Sequence, residues 1–523
     1  MDNTHTLLLL SLLLAPLVAG VLIIFVRSIR AIFITMAAGI MAGSIFGMIA
    51  VIKTCKYGTI SAISSWLYVD ALSSFTLAIM LIVYILSTTF AYVYFKKEFL
   101  VGNLSLKQAR QFAALWCGSF FSMTLVLVSN NLGIMWVGIE ATTLLTAFLI
   151  CIHSSKQSLE AMWKYLIICS VGVAFAFLGT LLAAASSRNV SGLEINQALL
   201  WTKLMVHAEM LNPALIKAAF IFLVAGYGTK AGLAPMHNWL PDAHSQAPAP
   251  VSALFSGFML NAALYCIMRY IPVVEAATGR SGWSLTLMSA LGIFSIGIGA
   301  AFIIFQNDVK RLLAYCSVEH IGIISLGLGL GGIGFFAAMF HTLNHSICKS
   351  VSFFAAGRLG QISGTHDLRK LNGAPKMSRL WGTALFLCIL ALIGIAPFAI
   401  FMSEFQILKA AVDSHSFVRL VLFLAGISVV FIGMLSKAIP LMWGTASEST
   451  KVKNDSESTE KRDISLPATP DIKLDKSTFL EICLVIVPLS ALLILGCWMP
   501  DFLGSSMTKA ADIIGKVTTM PHK

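Results

Sequence analysis

Residues 226–235 read GYGTKAGLAP, which places Lys230 just before Gly232 and Pro235 inside a long apolar segment. Glycine and proline weaken the hydrogen-bond ladder of a helix, so this stretch predicts a discontinuous helix with free carbonyls and room for water. A similar break, GIAP at 394–397, lies in a second apolar segment. Paired breaks in matching places of two halves are typical of membrane transport sites, whereas chance similarity of two short strings is the alternative.

The composition around these breaks indicates a membrane protein. Hydrophobic residues make up 58% of the 523 residues and charged residues only 11%, whereas soluble domains usually carry about 25% charged residues. Apolar stretches of about 20 residues recur, each long enough to cross the hydrocarbon core of a bilayer. The net charge of +12 does not indicate nucleic-acid binding, because the basic residues are spread over short connections without interleaved stacking aromatics.

Fourteen apolar segments are predicted to span the membrane. Their approximate limits are 6–26, 31–52, 69–95, 112–129, 131–152, 164–186, 212–235, 249–272, 283–305, 311–330, 333–357, 380–402, 417–443 and 478–498. Asp2 stands where a signal peptide would carry basic residues, so we expect the first segment to be a retained helix. One set of connections holds about twice the basic residues of the other. This difference predicts that the chain lies in the cell inner membrane, with that set in the cytoplasm and both termini on the outer side.

The predicted organisation has five regions. They are N-terminal transmembrane helices at 1–111, a first five-helix half-channel at 112–272, a second at 283–443, a polar cytoplasmic linker at 444–477, and a C-terminal transmembrane helix and tail at 478–523. Because each half-channel has an odd number of spans, the two would be inverted relative to each other in the membrane.

Charged residues inside apolar spans are the candidate functional groups, because a charge in mid-membrane costs at least about 2.5–3.5 kcal/mol. Glu140 has about ten apolar-span residues on either side and cannot easily reach the surface. Lys230 lies at the first break, where it can gain and release a proton. Lys164 lies four residues after Glu160, so a local ion pair or a side chain reaching the interface competes with a role in the pathway.

The second half carries a comparable series. His341, His345 and Lys349 recur every four residues and form one stripe along a helix. Three titratable groups on one buried face are typical of proton relays. Glu319 lies in the preceding span and Glu404 follows the second break. Together with the first-half charges, they predict a proton pathway through both halves.

Two further sequence features concern the entrance to this pathway and the cysteines of the chain. Asp242 and His244 are a candidate cytoplasmic entrance, and the alternative is a loop that caps helices after the first break. The ten cysteines are scattered, mostly within apolar spans, with no CxxC pair and no Cys/His cluster at metal-binding spacing. We therefore expect no iron–sulfur cluster, haem or other cofactor in this chain.

Four motifs between about 113 and 405 carry a family resemblance. They are NNLGIMWVGIEATTL, GTKAGLAPMHNWLPDAHSQAPAPVSALFSG, QNDVKRLLAYCSVEHIG and FHTLNHSICKSVSFF. This part resembles the antiporter-like proton-channel subunits of respiratory complex I and of multisubunit sodium/proton antiporters. The stretches WKYLIICSVGVAFAFLGT, SVEH and LFSGFMLNAALY look most like the F component of hydrogenase-4.

The resemblance implies an all-α membrane protein of about fourteen helices with two inverted five-helix repeats. It implies that Glu140 and Lys230 are the paired glutamate and lysine of the first half-channel. Lys349 would be the lysine of the second, beside the histidines of its stripe, and Glu404 would lie at the exit. The chain departs from the pattern at Ser256 and Asn261, where many relatives carry a histidine or lysine, and at Glu319, where many lack an acid.

The leading hypothesis is a proton-translocating, non-redox membrane subunit of an oxidoreductase complex, whose partner subunits hold the redox centres, with iron–sulfur clusters as the candidate centres. A subunit of a cation/proton antiporter is the second hypothesis, and the same residues would serve it. An energising subunit for uptake of another solute, such as inorganic carbon, is the third, and a structural membrane scaffold is the fourth. Buried charges in both halves argue against the scaffold.

Overall fold

Helices carry nearly all of the chain in the computed structural model, which describes residues 3–188, 190, 197–444 and 477–515. In chain order they are α1 (Asn3–Phe25), α2 (Ile29–Tyr57), α3 (Ala71–Leu100), α4 (Leu106–Val128), α5 (Leu132–Ile150), α6 (Lys156–Ala185), α7 (Trp201–Val206), α8 (Pro213–Ala231), α9 (Trp239–Gln246), α10 (Ala249–Leu254), α11 (Leu260–Ala277), α12 (Trp283–Phe305), α13 (Val309–Leu330), α14 (Ile333–Ser363), α15 (Ala374–Met377), α16 (Arg379–Leu392), α17 (Ala399–Asp413), α18 (Phe417–Trp443), α19 (Phe479–Cys497) and α20 (Asp501–Gly515). Except for its first and last residues, the linker predicted at 444–477 lies outside the described residues.

Within the described part of the chain, twelve helical segments are long and apolar enough to cross a membrane. This confirms the predicted multi-span helical membrane protein. The twelve are α1 to α6, α8, the continuous unit from α10 to α11, α12, α13, α18 and α19. The more polar α14 and the broken pair α16 and α17 occupy the two remaining predicted spans, and the count of fourteen stays a prediction.

Several elements outside the predicted spans were not predicted from the sequence, among them a hairpin and a C-terminal helix. A small antiparallel hairpin, β1 (Ile60–Ala62) with β2 (Leu67–Val69), precedes α3. The predicted C-terminal tail contains α20, which buries Met507, Ala510 and Ile514. The two strands have three residues each and α20 has 15, all fewer than the roughly 20 that cross a bilayer, so these elements escape a search for apolar spans.

The interior of the bundle is formed by helices that are buried on every side. The unit from α10 to α11 and the apolar window of α13 are entirely buried, whereas only 22% of the corresponding window of α18 is buried. Most of α14 is also buried, including its polar side chains. The titratable groups on α13 and α14 therefore lie at the centre of the molecule, away from the lipid-facing surface.

The two sequence breaks fold into the same local structure. Gly232 ends α8 with a φ of +80°, and Gly394 follows α16 with a φ of +69°. After each glycine, one amide donates to the carbonyl five residues earlier, as at a Schellman helix end. These hydrogen bonds are Leu233 N to Gly228 O at 2.9 Å and Ile395 N to Leu390 O at 3.2 Å. The break predicted within the segment 380–402 is therefore confirmed, because α16 ends at Leu392 and the chain becomes helical again only at Ala399.

Different neighbours hold the two breaks in place. At the first, the Trp239 indole N–H donates to the Thr229 carbonyl at 2.8 Å. At the second, α19 packs directly on the backbone, and a Cβ built on Gly496 would overlap the carbonyl oxygen of Pro397. Only a glycine allows this approach.

Buried ion pairs lie at opposite ends of α3. Before its first turn, Asp70 accepts two hydrogen bonds from Arg269 of α11, at 2.6 and 2.7 Å. Burial alone would raise the pKa of Asp70, but the Arg269 guanidinium outweighs it and holds the pKa below its ordinary value. At the other end, the buried Glu481 carboxylate meets Lys97 at 3.2 Å and Arg358 at 3.4 Å, which fastens α19 to α3 and α14.

Candidate functional site

Lys230 is the centre of the first cluster of buried polar groups. It is 0% exposed, at the C-terminal end of α8, where the helix dipole favours a positive charge. Its ammonium donates to Thr143 Oγ1 at 3.0 Å and to the Tyr165 hydroxyl. The Tyr165 hydroxyl also lies 2.6 Å from Thr146 Oγ1. Hydroxyls from α5 and α6 therefore surround the ammonium.

Glu140 lies on α5 close to this cluster. It is half-buried, and one carboxylate oxygen accepts from Ser170 Oγ at 2.9 Å. The other oxygen is buried without a hydrogen-bond partner among the described residues. Glu140 is near enough to Lys230 to interact with it electrostatically, but the two form no direct ion pair. The family resemblance implies that Glu140 and Lys230 are paired, and in the structure they are neighbours without direct contact.

Lys164 lies apart from the buried cluster. Its side chain is 46% exposed, and its ammonium meets Glu160 at 2.7 Å and Asp242 at 3.2 Å. Asp242 also meets Arg311 at 2.8 Å. The local pair with Glu160 that the sequence offered as an alternative is thus present, and any role for Lys164 lies at this exposed cluster.

Lys349 is the buried cation of the second half. It is 0% exposed on α14, and its ammonium donates to the Leu313 carbonyl of α13 at 2.9 Å. Glu319, 1% exposed, lies within electrostatic reach, and its Oε2 has no hydrogen-bond partner among the described residues. The second half thus repeats the arrangement of the first, with a buried lysine near an unpaired carboxylate.

Three histidines lie beside Lys349. His320 Nδ1 and His341 Nε2 are 2.8 Å apart, and the His320 and His345 ring centres are 5.2 Å apart. The other nitrogen of His341 lies 2.9 Å from Ser403 Oγ on α17. All three rings are 0% exposed. The predicted stripe on α14 is therefore buried, and His341 connects it to α13 through His320 and to α17 through Ser403.

Glu404 lies where the second break meets this network. It is 9% exposed on α17, and its carboxylate is pressed against Gly394, where an added Cβ would overlap it. One of its oxygens lies within 4.8 Å of ligand nitrogens of His320 and His341. On its other side Glu404 borders a cavity of about 400 Å³ between α17 and α18, lined mainly by apolar side chains.

The connection between the two halves is uncharged. One turn of π-helix, Phe255–Met259, lies between α10 and α11. There Ser256 Oγ lies 2.7 Å from Ser317 Oγ of α13, and the Asn261 amide donates to Ser346 Oγ at 2.9 Å. The two positions that depart from the family pattern are therefore buried hydrogen-bonding groups between the lysines.

The two residues of the predicted entrance have opposite surroundings. Asp242 is partly exposed within its ion-pair cluster. His244 is fully buried, with its ring stacked on Phe353 at 4.7 Å and both ring nitrogens unpartnered among the described residues. His244 also lies within electrostatic reach of Lys349. The short helix α9 thus leads from the surface to the second cluster.

Sequence reasoning missed several residues of these clusters. His320 stands in an apolar span and follows Glu319, so the rule that selected Glu319 also applied to it. Lys310 was counted as a basic residue of a connection, but it is buried and donates to the Ala247 carbonyl at 2.8 Å. Thr143 and Tyr165 carry no charge, and no sequence signal separates them from ordinary packing residues.

Comparisons with known proteins identify the family and the fold of this chain. A model of the family described as NADH:quinone oxidoreductase/Mrp antiporter, TM, matches residues 129–431. The chain is 41% identical over 323 residues to a hydrogenase-4 component F homolog of Methylacidiphilum infernorum, which covers 62% of this chain and 67% of that one. It is 30% identical over 308 residues to a probable K(+)/H(+) antiporter component of Rhizobium meliloti, with 58% and 30% covered. A chain of the Mrp complex from Dietzia sp. DQ12-45-1b has the same fold, with a TM-score of 0.82, 20% identity and 98% of each chain covered.

Proposed function

This chain belongs to the NADH:quinone oxidoreductase/Mrp antiporter transmembrane family, and from that premise we propose that it is the proton-translocating membrane subunit of a hydrogenase-4 or complex I-like oxidoreductase complex. The observation that carries the proposal is the pair of fully buried lysines, Lys230 and Lys349. In the described part of the chain, neither ammonium has a carboxylate oxygen within 4.0 Å. A buried ammonium without a counter-ion is costly, so each lysine is suited to gain and release a proton.

The contacts support a stepwise path. A change in the charge of Glu140 alters the field at Lys230, whose proton can pass to the Tyr165 hydroxyl. Ser256 and Ser317 offer hydroxyls toward the second half, with water between them and the lysines. Lys349 then exchanges a proton with the histidine cluster, and Glu404 delivers it beyond the second break.

We further propose where the chain works and what surrounds it. Its basic connections face the cytoplasm at the inner membrane. Other membrane subunits cover part of its flanks, and redox centres reside in partners, so this chain needs no cofactor of its own. Isolation of the native complex and identification of its subunits tests this arrangement.

The test of proton translocation uses the assembled complex in proteoliposomes. Glu140→Gln and Lys230→Ala should each abolish proton uptake driven by the complex. Lys217→Ala is the matched control, because Lys217 lies on the same helix near its other end and stacks on Trp283 at 5.8 Å. Proton uptake that survives both pathway substitutions would contradict the proposal.

A second candidate function is a role in cation/proton antiport, which the similarity to the K(+)/H(+) antiporter component and to the Mrp chain favours. Both functions need the same buried residues, so the substitutions above do not separate them. Measuring proton flux with and without Na⁺ or K⁺, in the absence of a redox substrate, does separate them. Flux that requires such a cation favours the antiporter.

A further inference from the structure

Donor atoms of three helices converge around His320. One ring nitrogen of His320, one of His341 and one carboxylate oxygen of Glu404 all lie within 4.8 Å of one another. The three residues come from α13, α14 and α17, and none is more than 9% exposed. The proposed proton path uses these side chains one after another, but it does not require them to share one point.

The hydrogen-bond network fixes which nitrogen of each ring carries hydrogen. The Ser403 hydroxyl donates to the Ile400 carbonyl at 2.8 Å, so it can only accept from His341 Nδ1. His341 Nε2 is then an acceptor, and it accepts from His320 Nδ1. The chain of donors ends at His320 Nε2, which is buried and has no hydrogen-bond partner of good geometry among the described residues, while the Leu392 backbone lies close to this ring.

A second unpartnered atom lies beside it. Glu319 Oε2 also lacks a hydrogen-bond partner among the described residues, and it lies 3.6 Å from His320 Nε2. Both groups can act as acceptors, and buried polar atoms left unpaired in this way are rare. When the hydrogen of His320 moves from Nδ1 to Nε2, it points toward Glu319 Oε2, and a hydrogen bond forms once the 3.6 Å separation closes by about half an ångström.

That shift leaves two lone pairs facing each other, His320 Nδ1 and His341 Nε2, with Glu404 beside them. Two imidazoles and a carboxylate suit Zn²⁺ and similar transition ions, whereas Na⁺, Mg²⁺ and Ca²⁺ favour sites made of oxygen. We propose that His320, His341 and Glu404 bind a divalent transition ion of the Zn²⁺ class.

The surrounding shell is already suited to such an ion. A histidine that binds a metal usually donates its other N–H to a carboxylate or another acceptor. Glu319 is the acceptor that faces the second nitrogen of His320, and Ser403 is the acceptor that faces the second nitrogen of His341. Tetrahedral zinc with bonds of about 2.0–2.1 Å separates two nitrogens by about 3.3 Å, so the observed 2.8 Å must open by only about half an ångström.

A neighbouring set of donors competes for the same histidine. Cys316, Glu319 and His320 also place one ligand atom each within 4.8 Å of one another. Binding there would take Glu319 as a ligand and leave His341 hydrogen-bonded to His320. We assign the site to His341 and Glu404, because the Lys349 ammonium lies within electrostatic reach of both Cys316 and Glu319 and would repel a divalent cation there.

The direct test measures binding of Zn²⁺ to the purified full-length chain. X-ray absorption at the zinc edge should show only nitrogen and oxygen ligands, with the scattering pattern of two imidazoles. A sulfur ligand at about 2.3 Å would move the ion to Cys316 and overturn the assignment. This measurement does not involve proton transport, so its outcome is independent of the proposed function.

Variants identify the ligands. His341→Gln and Glu404→Gln should each weaken Zn²⁺ affinity by more than about tenfold, since even loss of an outer-shell partner costs that much. His237→Gln is the matched control, because His237 is a buried histidine that packs against Tyr315, away from the site. Circular dichroism and gel filtration verify folding, and either folded ligand variant suffices. Unchanged affinity in a folded ligand variant would refute the site.

Occupancy has a consequence that rests on the proposed function. The ion replaces the hydrogen shared by His320 and His341, so it breaks the path to Glu404. Zn²⁺ should therefore inhibit proton uptake by the reconstituted complex, and a chelator should reverse the inhibition. Zinc that binds without inhibiting would overturn this consequence, whereas failure of the proposed function would appear as uptake that Glu140→Gln leaves intact.

Discussion

At the scale of single residues, the two buried lysines differ in what receives their hydrogen bonds. Lys230 meets the hydroxyls of Thr143 and Tyr165, whereas Lys349 meets the carbonyl oxygen of Leu313. A hydroxyl both accepts and donates, but a carbonyl only accepts. Tyr165 can therefore pass a proton onward, while Leu313 holds the ammonium of Lys349 in place.

Tyr165→Phe tests this distinction. The substitution keeps the ring beside Lys230 and removes the hydroxyl, so proton uptake by the reconstituted complex should fall about tenfold or more, because a hydrogen bond to a charged group contributes about 1.5–3 kcal/mol. Tyr84→Phe is the control, since its hydroxyl is equally buried and donates to Ser119 Oγ at 3.0 Å in another part of the bundle. Equal transport by the two variants would argue against Tyr165 as a relay.

At the scale of helices, the breaks bring charged side chains to the ends of half-helices. α8 ends just after Lys230, and α17 begins shortly before Glu404. The C-terminal end of a helix favours a cation and the N-terminal end an anion. Each break also leaves backbone groups without hydrogen-bond partners in the helix, and these groups lie beside a titratable residue, as in discontinuous transporter helices.

Gly394→Ala tests the second break. An added Cβ would overlap the Glu404 carboxylate, and the residue has a φ of +69°. Gly364→Ala is the matched control, because Gly364 has the same φ but nothing within 4 Å of an added Cβ. Both variants should lose about 1–2 kcal/mol of stability, measured by thermal unfolding in detergent, but only Gly394→Ala should slow proton uptake. Similar uptake by both would show that the position of Glu404 is unimportant.

At the scale of the whole molecule, ion pairs at the membrane surfaces join distant helices. The Asp70 carboxylate and the Arg269 guanidinium connect α3 to α11 through two hydrogen bonds. The Arg269 guanidinium also lies 4.5 Å from the Trp201 ring centre. With its polar atoms satisfied in this way, the pair can remain buried, but loss of one partner would leave the other uncompensated.

Asp70→Asn should destabilise the chain by about 3–5 kcal/mol, since it leaves a buried guanidinium without its counter-ion. The pKa of Asp70 is lowered in the folded chain, so its contribution is present above the unfolded pKa and is lost as the pH falls through the folded pKa. Thermal unfolding against pH measures both effects. Asp367→Asn removes the exposed pair with Arg369 and should change stability by at most about 1 kcal/mol. A comparable loss in both variants would contradict the special role of the buried pair.

Much of this architecture could be predicted from the sequence, because the bilayer imposes long apolar helices. Lys230 and Lys349 were found for the same reason, since a charge in an apolar span is conspicuous. Lys164 shows the limit, because a residue near a helix start can be buried or exposed, and only packing decides that it meets Asp242. Tyr165 and Ser403 contact residues of helices that are far apart in the sequence, and the sequence alone does not reveal such contacts.

The unequal support of the two breaks has a mechanical consequence. The first is held by Trp239 of its own half and by Ser295 of α12, whose Oγ accepts from the Ala234 amide at 3.0 Å. The second rests on Gly496 of α19, a helix outside both predicted half-channels whose other end is fastened by Glu481. Displacement at the first break is therefore passed to α12, whereas displacement at the second is passed to the C-terminal helix α19.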